Sequence, residues 1–452
     1  MNILIDLRPC HQSYSGIPHD TRMLFKILSG IENVKITGHI VSSNLATGGF
    51  KFNNRKESPV IQTSKFITKL EMNKENFLQK TLVINNIVKS FINTIIYKEK
   101  LFTISNIFND YIWKTYFDTT MAINDISIDK INFVSSSMPY QCALIYNSIL
   151  KGLSSLDTSS YDYYIGQPPF AFKISKKTKL ILRWHDSIPI THVHTISNKS
   201  THNSVFIKSL NLNKNDALFV CNSYTTEEKL HNLYPALKDR TAVAYCCVEK
   251  NNTNIKYVEI DKIINKYSRG LFSKYIPYIL AVGTFEPRKN YEILINAWYD
   301  YILQNKIDLQ LVIVGNEGWE YGKMEKETKI LERTNKLFHR LKNVRKTDLE
   351  YIYEKSSVLI VASFEEGFSY SGVEAMIHKT PVIASDIQVH REIYGDNAEY
   401  FSPYDSNELS DKIYKVMKMS KEEKGKIVDK AFQFVQKYSL DNCMQQWNKI
   451  LR

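Results

Sequence analysis

The sequence predicts an α/β protein made of two tandem doubly wound domains facing a cleft. Three observations predict it. Short apolar runs alternate with helical patterns along the chain, which is the signature of parallel βαβ units. The runs fall into two series, separated by a polar stretch rich in Asn and Lys. Glycines gather in the second series, with seven of the sixteen between Gly283 and Gly395, where tight ligand loops would need them.

The first series opens at Ile3-Leu4-Ile5. This is a strand rather than a signal peptide, because no basic stretch precedes it and the run stops at Asp6. Leu180–Leu182, Ala217–Val220 and Val243–Tyr245 read as further strands. The polar stretch Glu249–Arg269 reads as an inter-domain linker. The second series comprises Tyr278–Val282, Leu311–Val314, Val358–Val361 and Pro381–Ala384. Lys421–Arg452 reads as helix with a break near Tyr438-Ser439. The expected organisation is an N-terminal domain at 1–250, a linker at 251–274, a C-terminal domain at 275–430, and a helix at 431–452 that packs back on the first domain.

One region departs from the alternation. Lys51–Tyr116 reads as helical and basic, part of an insertion at about 51–130. Leu82, Ile84, Ile87, Val88, Phe91, Ile92, Ile95 and Ile96 form one face of a helical pattern, with Asn85, Asn86, Lys89, Ser90, Asn93 and Thr94 opposite. Such a face either packs on the core or meets an anionic membrane surface or a lipid-linked acceptor. The segment holds eleven basic and five acidic residues, so it carries half of the chain's net charge of +12.

The composition narrows the function classes. With 43% apolar and 23% charged residues over 452 positions, the chain is neither a disordered tail nor a disulfide scaffold. The six cysteines form no C-x-x-C pair and read as reduced, buried thiols of a cytoplasmic protein. No apolar run is long enough to span a membrane. The positive charge points to an anionic partner, but only twelve of the 59 basic residues are arginine. Clustered arginines with interleaved aromatics are absent, so nucleic acid is not expected as a partner.

Two segments carry chemistry. In Ala281-Val-Gly283-Thr-Phe-Glu-Pro-Arg288-Lys289-Asn290, a strand runs into a glycine turn, two adjacent cations and a helix start. A pyrophosphate needs such a pocket: close backbone approach, fixed positive charge and helix N–H donors. In Ser363-Phe-Glu-Glu366-Gly367-Phe368-Ser369-Tyr370-Ser371-Gly372-Val-Glu374, two carboxylates stand eight positions apart across a glycine-bearing loop. Glu374 is expected in the first turn of the helix that follows, where a carboxylate can accept sugar hydroxyls.

Together these segments resemble glycosyltransferase family 4, retaining enzymes of the GT-B architecture, in which two Rossmann-like domains face a cleft. The E-x7-E motif matches Glu366 and Glu374, the phosphate motif matches Gly283 to Asn290, and Leu311-Val-Ile-Val-Gly315 looks like the family's strand ending in glycine. The resemblance implies transfer of a hexose, such as mannose, from a nucleotide-diphosphate sugar to a saccharide or lipid-linked acceptor. The setting would be synthesis of a surface polysaccharide: O-antigen, capsule or lipopolysaccharide. The alternative is a non-catalytic module that binds the nucleotide sugar on the same fold.

The resemblance also implies roles. Arg288 and Lys289 would stabilise the leaving diphosphate without a metal, in keeping with the lack of a D-x-D pair. Glu366 would contact the donor sugar and Glu374 the ribose. Gly283 and Gly367–Ser371, including Phe368, Ser369 and Tyr370, would form the donor loops, and Gly16 of Ser15-Gly16-Ile17 a first glycine loop. His185 of Arg183-Trp184-His185-Asp186 would touch the sugar or assist the transition state, with Asp186 orienting the imidazole or capping its loop. Ser223 and Asp186 are placed on the acceptor side. No cofactor is expected beyond the donor itself. The location would be cytoplasmic, peripheral to the inner face of the membrane. Ser369 and Ser371 stand where relatives often have Gly and Pro, and Tyr245-Cys246-Cys247-Val248 replaces an asparagine-glycine turn.

Overall fold

A computed structural model describes residues 1–11, 16–42, 57–71, 99–121, 125–136, 140, 143–144, 155–193, 199–250, 259–318 and 322–452. Among these, the first half holds β1 (Asn2–Asp6), β2 (Lys35–Ile40), β3 (Glu99–Lys100), β4 (Phe102–Thr103), β5 (Asn132–Ser135), β6 (Leu156–Asp157), β7 (Tyr163–Gly166), β8 (Lys179–Trp184), β9 (Ala217–Cys221) and β10 (Thr241–Val243). Eight of them form a sheet in the order β10-β9-β8-β7-β1-β2-β5-β4, and β3 pairs with β6. Only β4, at the edge of the large sheet, runs antiparallel to its neighbour.

The second half holds β11 (Tyr278–Val282), β12 (Gln310–Val314), β13 (Phe338–Leu341), β14 (Val358–Val361), β15 (Val382–Ser385) and β16 (Glu399–Phe401). They form one parallel sheet in the order β13-β12-β11-β14-β15-β16. The molecule is thus an α/β protein of two largely parallel sheets.

Each sheet is buried on both faces, which explains the unbroken apolar runs. In β1, Ile3 and Ile5 join one core and Leu4 the opposite one. In β11, Ile279 and Ala281 face one core while Tyr278 and Leu280 face the other. Strands with polar interruptions escape such a reading. β2 contains Thr37, Gly38 and His39, and β13 contains His339 and Arg340. Tertiary partners make these residues tolerable: His39 Nδ1 lies 2.7 Å from the Tyr164 hydroxyl, and the Arg340 guanidinium stacks 4.1 Å from the Phe285 ring centroid.

Several boundaries shift. β8 runs on through Arg183 and Trp184, so both lie in the strand rather than after it. β10 ends at Val243, and the stretch Tyr245–Val248 lies in neither strand nor helix, with Cys246 and Cys247 fully buried. The expected linker contains a helix, Ile260–Tyr267, because Ile263 and Ile264 supply an apolar face that packs into the second half's core.

The inserted region is not purely helical. Among its described residues, the helix Pro59–Leu70 is followed by the short strands β3 and β4 and by a further helical segment at Asn109–Phe117. Phe66, Trp113, Tyr116 and Phe117 enter the core of the first sheet. The amphipathic face from Leu82 to Ile96 lies outside the described residues. No helix among the described residues is long and apolar enough to cross a membrane.

The chain end forms the helix Lys421–Val435, a turn at Gln436–Tyr438, and the helix Leu440–Ile450. Cys443, Trp447 and Leu451 join the core of the first sheet, although they follow the second in sequence. Trp447 is 1% exposed. Trp447→Ala is expected to cost about 3–5 kcal/mol in a urea unfolding titration, because the removed indole leaves a cavity between the last helix and the first sheet.

Candidate functional site

The carboxyl ends of β11 and β14 supply the charged centre. After β11 the chain turns at Gly283. A Cβ on Gly315, at the end of β12, would lie 1.9 Å from the Gly283 carbonyl oxygen, so the two strand ends can approach this closely only with glycine. The turn Pro287–Lys289 follows and ends at Asn290 in a left-handed conformation (φ 54°), which Asn tolerates better than most residues. The Asn290 side chain donates to the Pro403 carbonyl at 2.8 Å. This fixed turn aims Arg288 and Lys289 at the loop after β14.

There the Glu366 carboxylate accepts from Arg288 at 2.7 Å, from Lys289 Nζ at 2.6 Å and from the Ser363 hydroxyl at 2.8 Å. Arg288 also donates through Nε to Glu286 at 2.8 Å. Burial alone would raise the Glu366 pKa, but the two cations outweigh it and hold the carboxyl well below the usual carboxylate range. Lys289 is pushed down by burial. Two cations and two carboxylates therefore balance one another in a partly dry site. An entering diphosphate would compete with Glu366 and Glu286 for the same donors.

His185 follows β8, in the first half. Its Nε2 lies 2.5 Å from Gln167 Oε1, and its Nδ1 lies 3.9 Å from the Asp20 carboxylate. Burial lowers its pKa to about 4, with Asp20 opposing the shift. Asp186 does not orient the imidazole. Its carboxylate accepts from the Ile188 backbone N–H at 3.0 Å and so caps the loop, and burial lifts its pKa to about 6. The groups beside the imidazole are Asp20 and Gln167, which local sequence patterning did not single out.

The two halves touch at Gly367. A Cβ there would lie 1.9 Å from the His185 carbonyl oxygen, and the Gly367 carbonyl accepts from the Ser223 hydroxyl at 2.8 Å. Glu392, from the second half, accepts from the Tyr224 and Thr225 backbone N–H groups at 2.7 Å each. Lys229 pairs with Glu365 across the same junction. Among the described residues, no group of three or more His, Cys, Asp or Glu side chains is arranged to hold a metal ion.

Residues 267–433 match the family described as Glycosyl transferases group 1. This stretch is a glycosyl transferases group 1 domain. The chain is 36% identical over 126 residues to the serotype-specific mannosyltransferase WbdA of Escherichia coli, covering 28% of this chain and 15% of that protein. It is 27% identical over 226 residues to the O-antigen chain mannosyltransferase RfbU of Salmonella typhimurium, covering 49% of this chain and 56% of that protein. The chain thus spans only part of the length of these curated relatives.

The fold extends the likeness over the whole chain. A sucrose-phosphate synthase from Thermosynechococcus elongatus superposes with a TM-score of 0.61 at 14% identity, covering 99% of this chain and 98% of that one. HepE of Anabaena in complex with UDP and glucose gives 0.61 at 14% identity, covering 100% and 99%. The architecture is that of GT-B glycosyltransferases.

Within the group 1 domain, Glu374 sits in the second turn of the helix Tyr370–Ile377 rather than the first, because that helix begins as early as Tyr370 and Glu374 is its fifth residue. It accepts from the Tyr353 hydroxyl at 2.8 Å, and burial raises its pKa. Ser369 adopts a left-handed conformation (φ 65°), held by the Tyr394 hydroxyl, which lies 2.6 Å from Ser369 Oγ and 3.0 Å from its carbonyl. These bonds hold serine in a conformation that favours glycine. Gly372 must remain small, since a Cβ there would lie 2.2 Å from the Tyr394 ring.

Two expected site residues have their side chains engaged in packing and capping. Phe368 is buried against Tyr245, Tyr370 and Tyr438, because the loop turns this ring into the core. Ser223 is fully buried, caps the helix Tyr224–Leu233 and ties it to Gly367, which leaves its hydroxyl engaged on both sides. Ser371 is also buried. Gly16 is exposed at the start of the helix Gly16–Ser29, and a Cβ there would lie 3.6 Å from the Tyr370 ring. It therefore faces the group 1 domain across the junction.

Proposed function

We propose that this chain is a retaining, metal-independent hexosyltransferase that uses a nucleotide-diphosphate sugar and a saccharide or lipid-linked acceptor in surface polysaccharide synthesis. The observation that carries the reading is the constellation of Arg288, Lys289 and Glu366 at the strand ends of the group 1 domain, opposite His185 of the first half. Residues 275–430 would hold the donor and residues 1–250 the acceptor. Mannose is the preferred sugar on the strength of the mannosyltransferase relatives, and UDP-glucose is the natural competitor given HepE.

Two charges develop in such a transfer, negative on the leaving diphosphate and positive on the sugar ring. Arg288 and Lys289 would take the first, released from Glu366 as the diphosphate enters. Glu366, freed from its two cations, would then lie beside the sugar. His185 would contact the sugar from the other half, and Glu374 the ribose. Lys51–Tyr116 would hold the enzyme at an anionic membrane on its cytoplasmic face.

A thermal-shift screen over nucleotide sugars, including UDP-glucose and a nucleotide-linked mannose, tests the reading. At a hundredfold excess over Kd, the true donor is expected to stabilise the protein by about 2.7 kcal/mol, and Glu374→Ala to lose most of that shift. Radiolabelled transfer to a saccharide acceptor should follow with the same donor. Stabilisation without any product would favour the non-catalytic module. No shift with any nucleotide sugar would sink the reading altogether.

A further inference from the structure

The helix Gly16–Ser29 acts on the His185 imidazole from both sides, through Gln167 at Nε2 and through the nearby Asp20 carboxylate at Nδ1. The directions of the hydrogen bonds follow one from another. The Thr21 hydroxyl donates to the Ile17 carbonyl at 2.9 Å, so its oxygen is left to accept from the Gln167 amide nitrogen. That fixes the Gln167 amide with its oxygen toward His185, at 2.5 Å from Nε2. His185 must then carry its proton on Nε2, while the Asp20 carboxylate lies 3.9 Å from Nδ1, beyond hydrogen-bond distance, where its negative charge favours a positive ring. Asp20 and Thr21 are neighbours in one helix, so a single rigid element stands behind both sides of the ring.

Asp20 is itself held by three hydrogen bonds from two partners. Arg183 Nε donates to its carboxylate at 2.7 Å and Arg183 Nη2 at 3.2 Å. The Tyr370 hydroxyl, at the start of the group 1 domain's donor helix, donates at 3.2 Å. Arg183 in turn reaches the carbonyls of Cys221 at 3.2 Å and Ala244 at 2.6 Å. Asp20 is 3% exposed and Arg183 1%, and such a buried ion pair is weak as a source of stability but strong as a fixer of geometry.

We propose that Gln167 and Asp20 are positioning residues for the transfer reaction: Gln167 accepts from Nε2–H and so sets the orientation and tautomer of the His185 ring, and the Asp20 carboxylate beside Nδ1 stabilises positive charge on it. The proposal rests on the transferase reading above for its catalytic consequence, and on geometry alone for the imidazole itself. Neither residue needs to touch the substrate. A ring displaced by 1 Å would lose much of what its placement contributes.

The test uses the full chain with ring-15N-labelled histidine, the His185 signals being assigned through His185→Gln. The wild type is expected to show the Nε2–H tautomer. Asp20→Asn and Gln167→Met are each expected to shift the His185 ring-nitrogen signals, and to lower kcat about 10- to 100-fold with donor KM little changed. Because Asp20→Asn strands the Arg183 charge, the double variant Asp20→Asn/Arg183→Met is measured beside it. It should regain thermal stability yet remain slow. Unchanged His185 signals in either folded single variant, or recovery of kcat in the double variant, would overturn the proposal. A wild-type chain that transfers no sugar at all defeats the transferase reading, while the nitrogen signals still decide the positioning role.

Discussion

Arg288→Ala is expected to lower kcat for sugar transfer by about 10²–10³-fold. The guanidinium is only 19% exposed and forks between Glu286 and Glu366, so water cannot replace it fully. Its removal takes away the bidentate charge proposed for the leaving diphosphate, and leaves Glu366 with Lys289 and Ser363 alone. Lysine at this position would keep a charge but could not span both carboxylates, so Arg288→Lys should fall between the wild type and alanine. Steady-state kinetics with the preferred donor, together with calorimetry of the nucleoside diphosphate, would measure both losses. A kcat within about twofold of wild type would remove Arg288 from the mechanism.

Gly367→Ala is the second large effect expected, and it acts through shape alone. The added methyl would lie 1.9 Å from the His185 carbonyl oxygen and 3.0 Å from the Asn222 side chain. Both obstacles belong to the first half, and the nearer one is backbone, which cannot rotate aside. Relief requires the halves to separate or the loop to move, and either breaks the bonds from Ser223 at 2.8 Å and Thr226 at 3.2 Å to the Gly367 carbonyl. His185 and Glu366 would no longer face a common substrate. Transfer is expected to fall at least about 100-fold. The melting temperature should change little by comparison, because the contact lies at the junction and not inside either sheet's core. Wild-type turnover in Gly367→Ala would show that the halves work without this close approach.

Much of the fold was legible in the chain. β11 and β14 coincide with the apolar runs at Tyr278–Val282 and Val358–Val361, since parallel strands buried on both faces leave continuous hydrophobic stretches. The strands missed, such as β2 and β13, carry His, Arg or Thr whose partners come from elsewhere in the chain. The helix at Ile260–Tyr267 has a local signal, with Ile260, Ile263, Ile264 and Tyr267 at i, i+3, i+4 and i+7 on one face, which the polar composition of the surrounding stretch obscures.

The site divides in the same way. By itself the sequence determined the glycine turn with Arg288 and Lys289, the loop between Glu366 and Glu374, and the His185-Asp186 step after a strand. Each is a spacing of ten residues or fewer, set by local geometry. Tertiary structure alone decided who touches whom: Asp20 with Arg183 across 163 positions, Ser223 with Gly367 across 144, and Arg288 with Glu366 across 78. Such pairs depend on how two sheets and a returning helix pack, and a carboxylate's role follows from the charges that packing brings to it. Glu366 was legible as an acid of the site, but only packing made it the counter-ion of Arg288 and Lys289, the two cations proposed for the donor.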